Sequence, residues 1–368
     1  MKRTISIKLK VFAEQSNMLL ELQRAFVGTC NLIVPFAMEN RCWNRVALHN
    51  LCYSTIREHS PLGSQMVCNA IFAVCRAYKN RNIQKSEEIP KIQFRKNASI
   101  HFDKRTYSIK GDQLSLYTLG RRIKVEMQMG DFQRHYFSQG VPKEAELVYK
   151  KGKWYFNLVL DFPDPMMNQQ KMLIGIDLGE NNAAAMSSGK IMSGSKIRYK
   201  RDKFLSIRRR LQSNGSQSAK QLLKKISGKE ARWMRHVNHQ MSKEIIEEAL
   251  KAGATILVLE NLKNIRQRIK SNKRMRTRLH RWAFAQLQNF VEYKAQAQGL
   301  GVIYINPAYS SQLCSSCDDL GQRVKHRFTC SCGNQQHSDL NASYNLCRFA
   351  LSIDRATCAV NRTYVAVC

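Results

Sequence analysis

Three acidic residues stand where an acid is costly. Asp177 ends the run MLIGID and is followed by Leu178-Gly179; Glu260 ends TILVLE and is followed by Asn261-Leu262. Asp339 lies in HSDLNASYNL, ahead of a short helical pattern. A carboxylate closing a buried strand needs a cation or donors to offset its lost hydration. Two such strands in one sheet bring their C-terminal acids together, and a third acid from a helix completes a cluster. An all-oxygen set suits Mg²⁺ or Mn²⁺. Two such ions about 4 Å apart would activate a water and stabilise the leaving oxygen of a phosphodiester. Each acid taken alone reads as a strand or helix cap. Three in an acid-poor chain, two of them on matching strand ends, favour the metal cluster.

A second constellation carries sulfur. Cys314-Ser-Ser-Cys317 and Cys330-Ser-Cys332 are separated by twelve residues, with polar and basic neighbours. Two close thiol pairs joined by a short loop form a tetrahedral Zn²⁺ site of the zinc-ribbon kind. A redox CxxC would leave the second pair unexplained. That second pair has one intervening residue rather than two, which leaves the fourth ligand open: His337 is the nearest substitute for a cysteine and His326 the next. The zinc is expected to be structural, stiffening the segment that holds Asp339. The remaining eight cysteines (Cys30, Cys42, Cys52, Cys68, Cys75, Cys347, Cys358, Cys368) are scattered among apolar or helical surroundings and read as buried or free thiols.

The partner of this chemistry is written in the charge. Sixty Lys and Arg against 27 Asp and Glu leave +33, a self-repulsion that a polyanion relieves. Between Ser195 and Arg235 there are fourteen Lys or Arg and two acids; from Lys263 to Arg281 there are nine and none. Solvated helix faces mix signs, so single-sign runs of this length point to phosphate tracking. The basic residues spread through the chain rather than forming one amphipathic tail, which favours nucleic acid over an anionic membrane. Arg208, Arg209, Arg210 and Arg281 are candidate phosphate contacts, and Tyr78 and Trp282 candidate stacking platforms, although an aromatic among apolar neighbours usually belongs to the core. No window reaches the roughly 18 apolar residues of a membrane span, and MKRTISIKLK lacks a signal-peptide stretch. A cytoplasmic protein, nucleoid-associated when on DNA, is expected.

The elements that must position these groups follow from periodicity. Residues 4 to 12 alternate, with Ile5, Ile7, Leu9 and Val11 opposite Ser6, Lys8 and Lys10, as a half-buried strand does. From about 17 to 82 the spacing turns helical, broken at Pro61 and Gly63. Residues 91 to 161 return to strands, with turns at Lys110-Gly111-Asp112 and Lys151-Gly152-Lys153. A β-barrel-like domain with a helical insertion is expected there. FPDPMMNQQK reads as a linker. Beyond it, Met172–Ile176, Ala254–Leu259 and Gly301–Ile305 are continuous apolar runs, the buried strands of an α/β sheet. Trp233, Val237, Met241, Ile245 and Ala249 mark a helix with one core face, stopped at Gly253.

At this level of detail the residues resemble a family. IGIDLGENNAAAMSSG around Asp177, VLENLKNIR around Glu260 and DLNASYNL at Asp339 are similar to the three RuvC motifs of TnpB, the transposon-encoded nuclease. RYKRDKFLSIRRRLQS, SGKEARWMRHVNHQMSKEIIEEA and RWAFAQLQNFVEYKAQAQGLGVIYINPAYSSQLCSSC fall between them in the family's order. The likeness is strong over residues 172 to 346 and looser before, where PLGSQMVCNAIFAVCRAYKN resembles the recognition helix. It implies an RNase H-like (RuvC) domain over 172–306 and 338–352, with a zinc ribbon at 307–337. Ahead of these it implies a wedge β-barrel (1–16 and 86–165) carrying a helical recognition insertion (17–85). A tail (353–368) follows. It also implies metal ligation by Asp177, Glu260 and Asp339 to two Mg²⁺ ions (Mn²⁺ as a substitute), and Zn²⁺ on Cys314, Cys317, Cys330 and Cys332. Gln65 and Asn69 would contact a short flanking motif. The implied partners are a guide RNA from the transposon end and double-stranded target DNA, bound by a monomer or by a dimer on the RNA, with base pairing supplying sequence choice. Two departures stand out: the tight Cys-x-Cys knuckle, and Glu180-Asn181-Asn182 in place of small or basic residues.

Three other functions compete. A guide-dependent repressor would bind DNA without cutting it, but relatives of that kind have lost RuvC acids, and all three are acidic here. A compact type V CRISPR effector would share this core. A transposase would use similar acids, but the ribbon wedged ahead of the third acid argues against it.

Overall fold

The computed structural model describes residues 1–81, 83, 88–165, 171–262, 284–306 and 310–356, with only the backbone over 353–356. The basic run from Lys263, Arg281, Trp282, Cys358, Cys368 and most of the expected tail lie outside the described residues. The chain divides into two compact units, Met1–Pro163 and Asp164–Cys368.

The first unit is a seven-stranded antiparallel sheet with helices against it. Its strands are β1 (Lys2–Lys10), β2 (Ile100–Phe102), β3 (Tyr107–Lys110), β4 (Gln113–Tyr117), β5 (Arg122–Gln128), β6 (Val141–Lys150) and β7 (Lys153–Asp161), in the order β2-β6-β7-β1-β5-β4-β3. The alternation of β1 buries Ile5, Ile7 and Leu9, as its sequence demands. The 17–82 segment becomes three helices: α1 (Ala13–Glu39), α2 (Arg45–His59) and α3 (Ser64–Lys79). Asn44 makes the break before α2 by accepting the Val46 and Ala47 N–H groups on its side chain. Helices and sheet bury one common core, in which Phe26, Ile33, Val67 and Val74 join Phe102 and Phe156. One helix was not foreseen. Residues Asp131–Gln139 form α4, where strand was expected; Gln133 caps it from within, accepting the Gly130 N–H and donating to Ser6 O, both at 3.2 Å.

The second unit is α/β. Its sheet contains β8 (Leu173–Asp177), β9 (Asn182–Met186), β10 (Ile191–Ser193), β11 (Ile256–Glu260) and β12 (Gly301–Ile305), ordered β10-β9-β8-β11-β12. β8, β11 and β12 run parallel, while β9 and β10 return as an antiparallel meander. The helices are α5 (Ser195–Asn214), α6 (Gln217–Lys251), α7 (Phe284–Ala297) and α8 (Ser338–Ala356). Ser216 caps α6 through the Ala219 N–H, and Gly253, at φ +72°, takes the left-handed conformation that ends it. Period-two alternation divides the sheet's side chains. Ile174, Ile176, Leu257 and Leu259 pack with α6 and α7; Leu173, Ile256 and Val258 pack with Leu346 and Ala350 of α8. A small three-stranded sheet precedes α8: β13 (Gln322–Val324), β14 (Arg327–Thr329) and β15 (Gln335–His337).

Among the described residues every cysteine is free: Cys30, Cys52 and Cys75 are buried, Cys42, Cys68 and Cys347 half-buried. No described helix is long and apolar enough to cross a membrane.

Candidate metal centre and nucleic-acid surface

The register of two parallel strands creates the acid pair. Ile176 of β8 lies beside Leu259 of β11, so the next rung sets Asp177 beside Glu260. By alternation both acids belong to the row that faces α8. Their side chains are hydrogen-bonded to each other. Ser310 donates to Glu260 Oε1 at 3.3 Å, and Gln288 of α7 holds the Glu260 carbonyl at 2.7 Å.

Asp339 arrives from the other direction, in the first turn of α8. This helix meets β8 very closely: a Cβ on Gly175 would stand 1.9 Å from the Ser343 carbonyl oxygen, so only glycine allows the contact. Asn182, at the start of β9, donates to Asp339 Oδ2 at 2.9 Å, and Arg323 of β13 donates to Oδ1 at 2.9 Å. Glu260 and Asp339 are buried and Asp177 half-buried. Burial first, and then the charge of Asp339, push Asp177 up to about 7, against the pull of Arg323 and the bond to Glu260. Burial and the neighbouring Asp177 lift Glu260 well above the ordinary carboxylate range. Held without a cation, the pair therefore shares protons. A divalent ion removes that penalty, and oxygen-only donors suit Mg²⁺ or Mn²⁺.

The four cysteine sulfurs converge, each within 4.8 Å of the others. Cys314 and Cys332 are 3.7 Å apart, and Cys317 and Cys330 3.5 Å. Four thiolates around a tetrahedral Zn²⁺ at 2.3 Å stand about 3.8 Å from one another, so the cage has the size zinc requires. The tight second pair is accommodated by a turn. Gly333, at φ +89°, donates to Cys330 O, and Cys330 N–H donates to Asn334 O. Cys332 thus takes its place beside the other three sulfurs, and His337 and His326 lie in a different group, with Asp339. Burial opposes ionisation of Cys314, but the Asn334 amide and the Ser316 and Cys317 N–H groups draw it down to about 6. Asn341 and Asn345 of α8 tie this knuckle to the helix, both donating to Leu313 O at 2.7 Å, with Asn341 also accepting the Ser315 N–H.

The expected nucleic-acid contacts divide. Arg209 and Arg210 are exposed on α5. Arg208 instead pairs with the buried Glu230 at 2.6 Å. Tyr78 is 1% exposed, stacked on Trp43 in the core, and Asn69 is 1% exposed and bonded to Thr106. Neither is offered to a base: both lie on the helix face that α3 buries. Gln65 is half-buried, bonded to Asp103 and Arg105, and borders a cavity of about 250 Å³ lined also by Arg45, His49 and Cys68. Asn182, Arg323, Ser310, Asn341 and Asn345 had no sequence assignment; the Asn341/Asn345 spacing of four, which sets both amides on one helix face, was the signal available.

Comparison with known proteins places these features. A family model described as a probable transposase matches residues 158–266, and one described as Cas12f1-like, TNB domain, matches 284–346. The chain belongs to the TnpB-like family. It is 31% identical over 262 residues to TnpB-like protein MJ0751 of Methanocaldococcus jannaschii, covering 65% of this chain and 91% of that protein. It is 30% identical over 222 residues to the CRISPR-associated endodeoxyribonuclease Cas12f1 of Sulfoacidibacillus thermotolerans, of which it spans 50%. Its fold is similar to that of the protein in the cryo-EM structure of a Cas12f1-sgRNA-target DNA complex, with a TM-score of 0.65 at 16% identity over 91% of this chain and 83% of that one.

Proposed function

We propose that this protein is an RNA-guided DNA endonuclease whose second unit is an RNase H-like (RuvC) catalytic domain. The observation that carries the proposal is the pairing of Asp177 with Glu260 on one rung of adjacent strands, with Asp339 acting on both through its charge. These acids would hold two Mg²⁺ ions, with Mn²⁺ as a substitute. When bound, such a pair polarises a phosphodiester and lowers the pKa of the attacking water. The chain's own work is to hold the carboxylates in fixed positions. Ser310 and Gln288 hold the end of β11, Asn182 fixes the Asp339 carboxylate, and Gly175 lets α8 deliver it. Cys314, Cys317, Cys330 and Cys332 would hold a structural Zn²⁺ that orders the segment running into α8.

The net charge of +33 and the single-sign stretch of α5 and α6, including Arg209 and Arg210, would track the phosphates of a guide RNA and a double-stranded target. Gln65 beside its cavity is the remaining candidate for the flanking motif. Base pairing would choose the sequence, as the name of the Cas12f1 complex suggests by similarity. We assign the protein to the cytoplasm, as a monomer or a dimer on its RNA. A compact CRISPR effector is the second reading, favoured by the similarity to Cas12f1.

The test is cleavage of matched duplex DNA by the purified RNA complex in Mg²⁺. Asp177→Ala is expected to abolish cutting and spare DNA binding. Tight binding without cleavage by the unaltered complex would instead identify a guided repressor. Sequencing of the co-purified RNA is expected to give one defined species with a variable 3′ end; random cellular RNA would overturn the guide.

A further inference from the structure

Among the described residues, one further group of side chains able to ligate a metal stands beside the acid pair and the sulfur cage. His326 precedes β14, His337 ends β15, and Asp339 opens α8. One ligand atom of each lies within 4.8 Å of the other two. The strand pairing sets this arrangement, because Arg327 stands opposite His337 and His326 is its neighbour. Ser338 closes the corner, its N–H donating to the His326 carbonyl at 2.8 Å. The two imidazoles stack with centroids 5.4 Å apart and planes 21° from parallel. His337 Nδ1 accepts the Asp339 N–H at 3.2 Å and its Nε2 stands 3.4 Å from Asn182 Nδ2, contacts that an incoming ion would exchange for a metal–nitrogen bond. Backbone bonds fix all three residues, and His326 is open to solvent.

Two imidazoles and one carboxylate differ chemically from the acid cluster. Nitrogen donors favour Zn²⁺, Co²⁺ or Ni²⁺ over Mg²⁺, and a two-histidine, one-carboxylate set leaves positions for water. We infer that His326, His337 and Asp339 form a second transition-metal site, separate from the four sulfurs, whose occupancy withdraws Asp339 from the acid cluster. The withdrawal rests on the nuclease function proposed above; the binding does not. Arg323 and Asn182 hold the Asp339 carboxylate in the absence of the ion. The Arg323 side chain is 41% exposed, so it can turn to solvent while the ion takes over as counter-charge. Excess zinc-class ions, beyond those that fill the cysteine cage, therefore inhibit cleavage.

The experiment uses the full chain carrying Asp177→Asn, which removes a charge from the acid cluster and so weakens cobalt binding there. Zinc-loaded protein is dialysed against Co²⁺ without Mg²⁺, and both metals are counted per chain. One zinc and one cobalt are expected. Adding His326→Ala or His337→Ala is expected to remove the cobalt and keep the zinc. No cobalt in the parent, or cobalt unchanged in His326→Ala, overturns the site. In the unaltered RNA complex, Zn²⁺ is expected to reduce Mg²⁺-dependent cleavage at least tenfold, with His326→Ala resistant. Equal inhibition of both would overturn the sharing of Asp339. A complex that never cleaves would end the nuclease proposal, while the cobalt count still decides the site.

Discussion

Arg323 Nη2 donates to Asp339 Oδ1 at 2.9 Å, a contact that links the first strand of the small sheet to the opening turn of α8. Its charge also lowers the proton affinity of Asp177. Asp177 is raised to about 7 from an unfolded value of 3.8, so the folded metal-free protein binds the extra proton. The stability this contributes is full below pH 3.8 and lost as pH rises through about 7. In chelator, the thermal midpoint of the second unit should fall between about pH 4 and 7 and level off above that. Asp177→Asn should abolish that fall and stabilise the protein at pH 8 by about 2 kcal/mol. Arg323→Ala should move the fall to higher pH. A flat midpoint from pH 4 to 7 would refute the burial of this charge.

Cys332→Ser should lower bound zinc from one per chain to none and depress the thermal midpoint, because ligand loss removes the binding free energy from folding. His337→Ala should keep its zinc. Metal analysis of the two variants separates a four-sulfur cage from one completed by histidine.

Gly175→Ala sets a methyl against the Ser343 carbonyl at 1.9 Å. A backbone atom cannot yield as a side-chain tip does, so α8 must shift on the sheet. Denaturant unfolding should show a loss of about 3 kcal/mol or more, with cleavage lost alongside. An unchanged midpoint would mean that α8 does not dock this closely.

His101 tests the first unit. Burial first, and then Arg76, lower it from 6.5 to about 4; Glu144 lies 3.8 Å from Nε2, too far for a hydrogen bond to reverse this. The neutral ring is therefore the folded form. Its contribution is full above pH 6.5 and lost as pH falls toward and through about 4, amounting to about 2–3 kcal/mol. His101→Leu should flatten the acid limb of the stability profile over that window.

The acid pair and the cysteine cage were legible because each has a signature independent of the rest of the chain: a carboxylate closing an apolar run, and paired thiols at short spacing. What surrounds them was not. Asn182, Arg323 and Ser310 are polar residues in turns or short strands, and no periodicity reports which carboxylate they touch. Tyr78 carried a signal that outweighs its chemistry. It continues the Val67, Ile71, Val74 stripe, and a side chain on that stripe is core before it is anything else. The α4 helix escaped notice because nine residues with one internal cap barely differ, in pattern, from a strand and its turn.

The place of β1 in its sheet has a consequence for how the protein is made. Lys2–Lys10 leaves the ribosome well before its two neighbours, β5 and β7, whose last residues are Gln128 and Asp161. Until those have been translated, the Ile5, Ile7, Leu9 row has no lawful mate and is open to strands of other nascent chains. Such distant pairing slows folding and lengthens the aggregation-prone interval. The yield of native protein should therefore depend on chaperone supply and on growth temperature during expression.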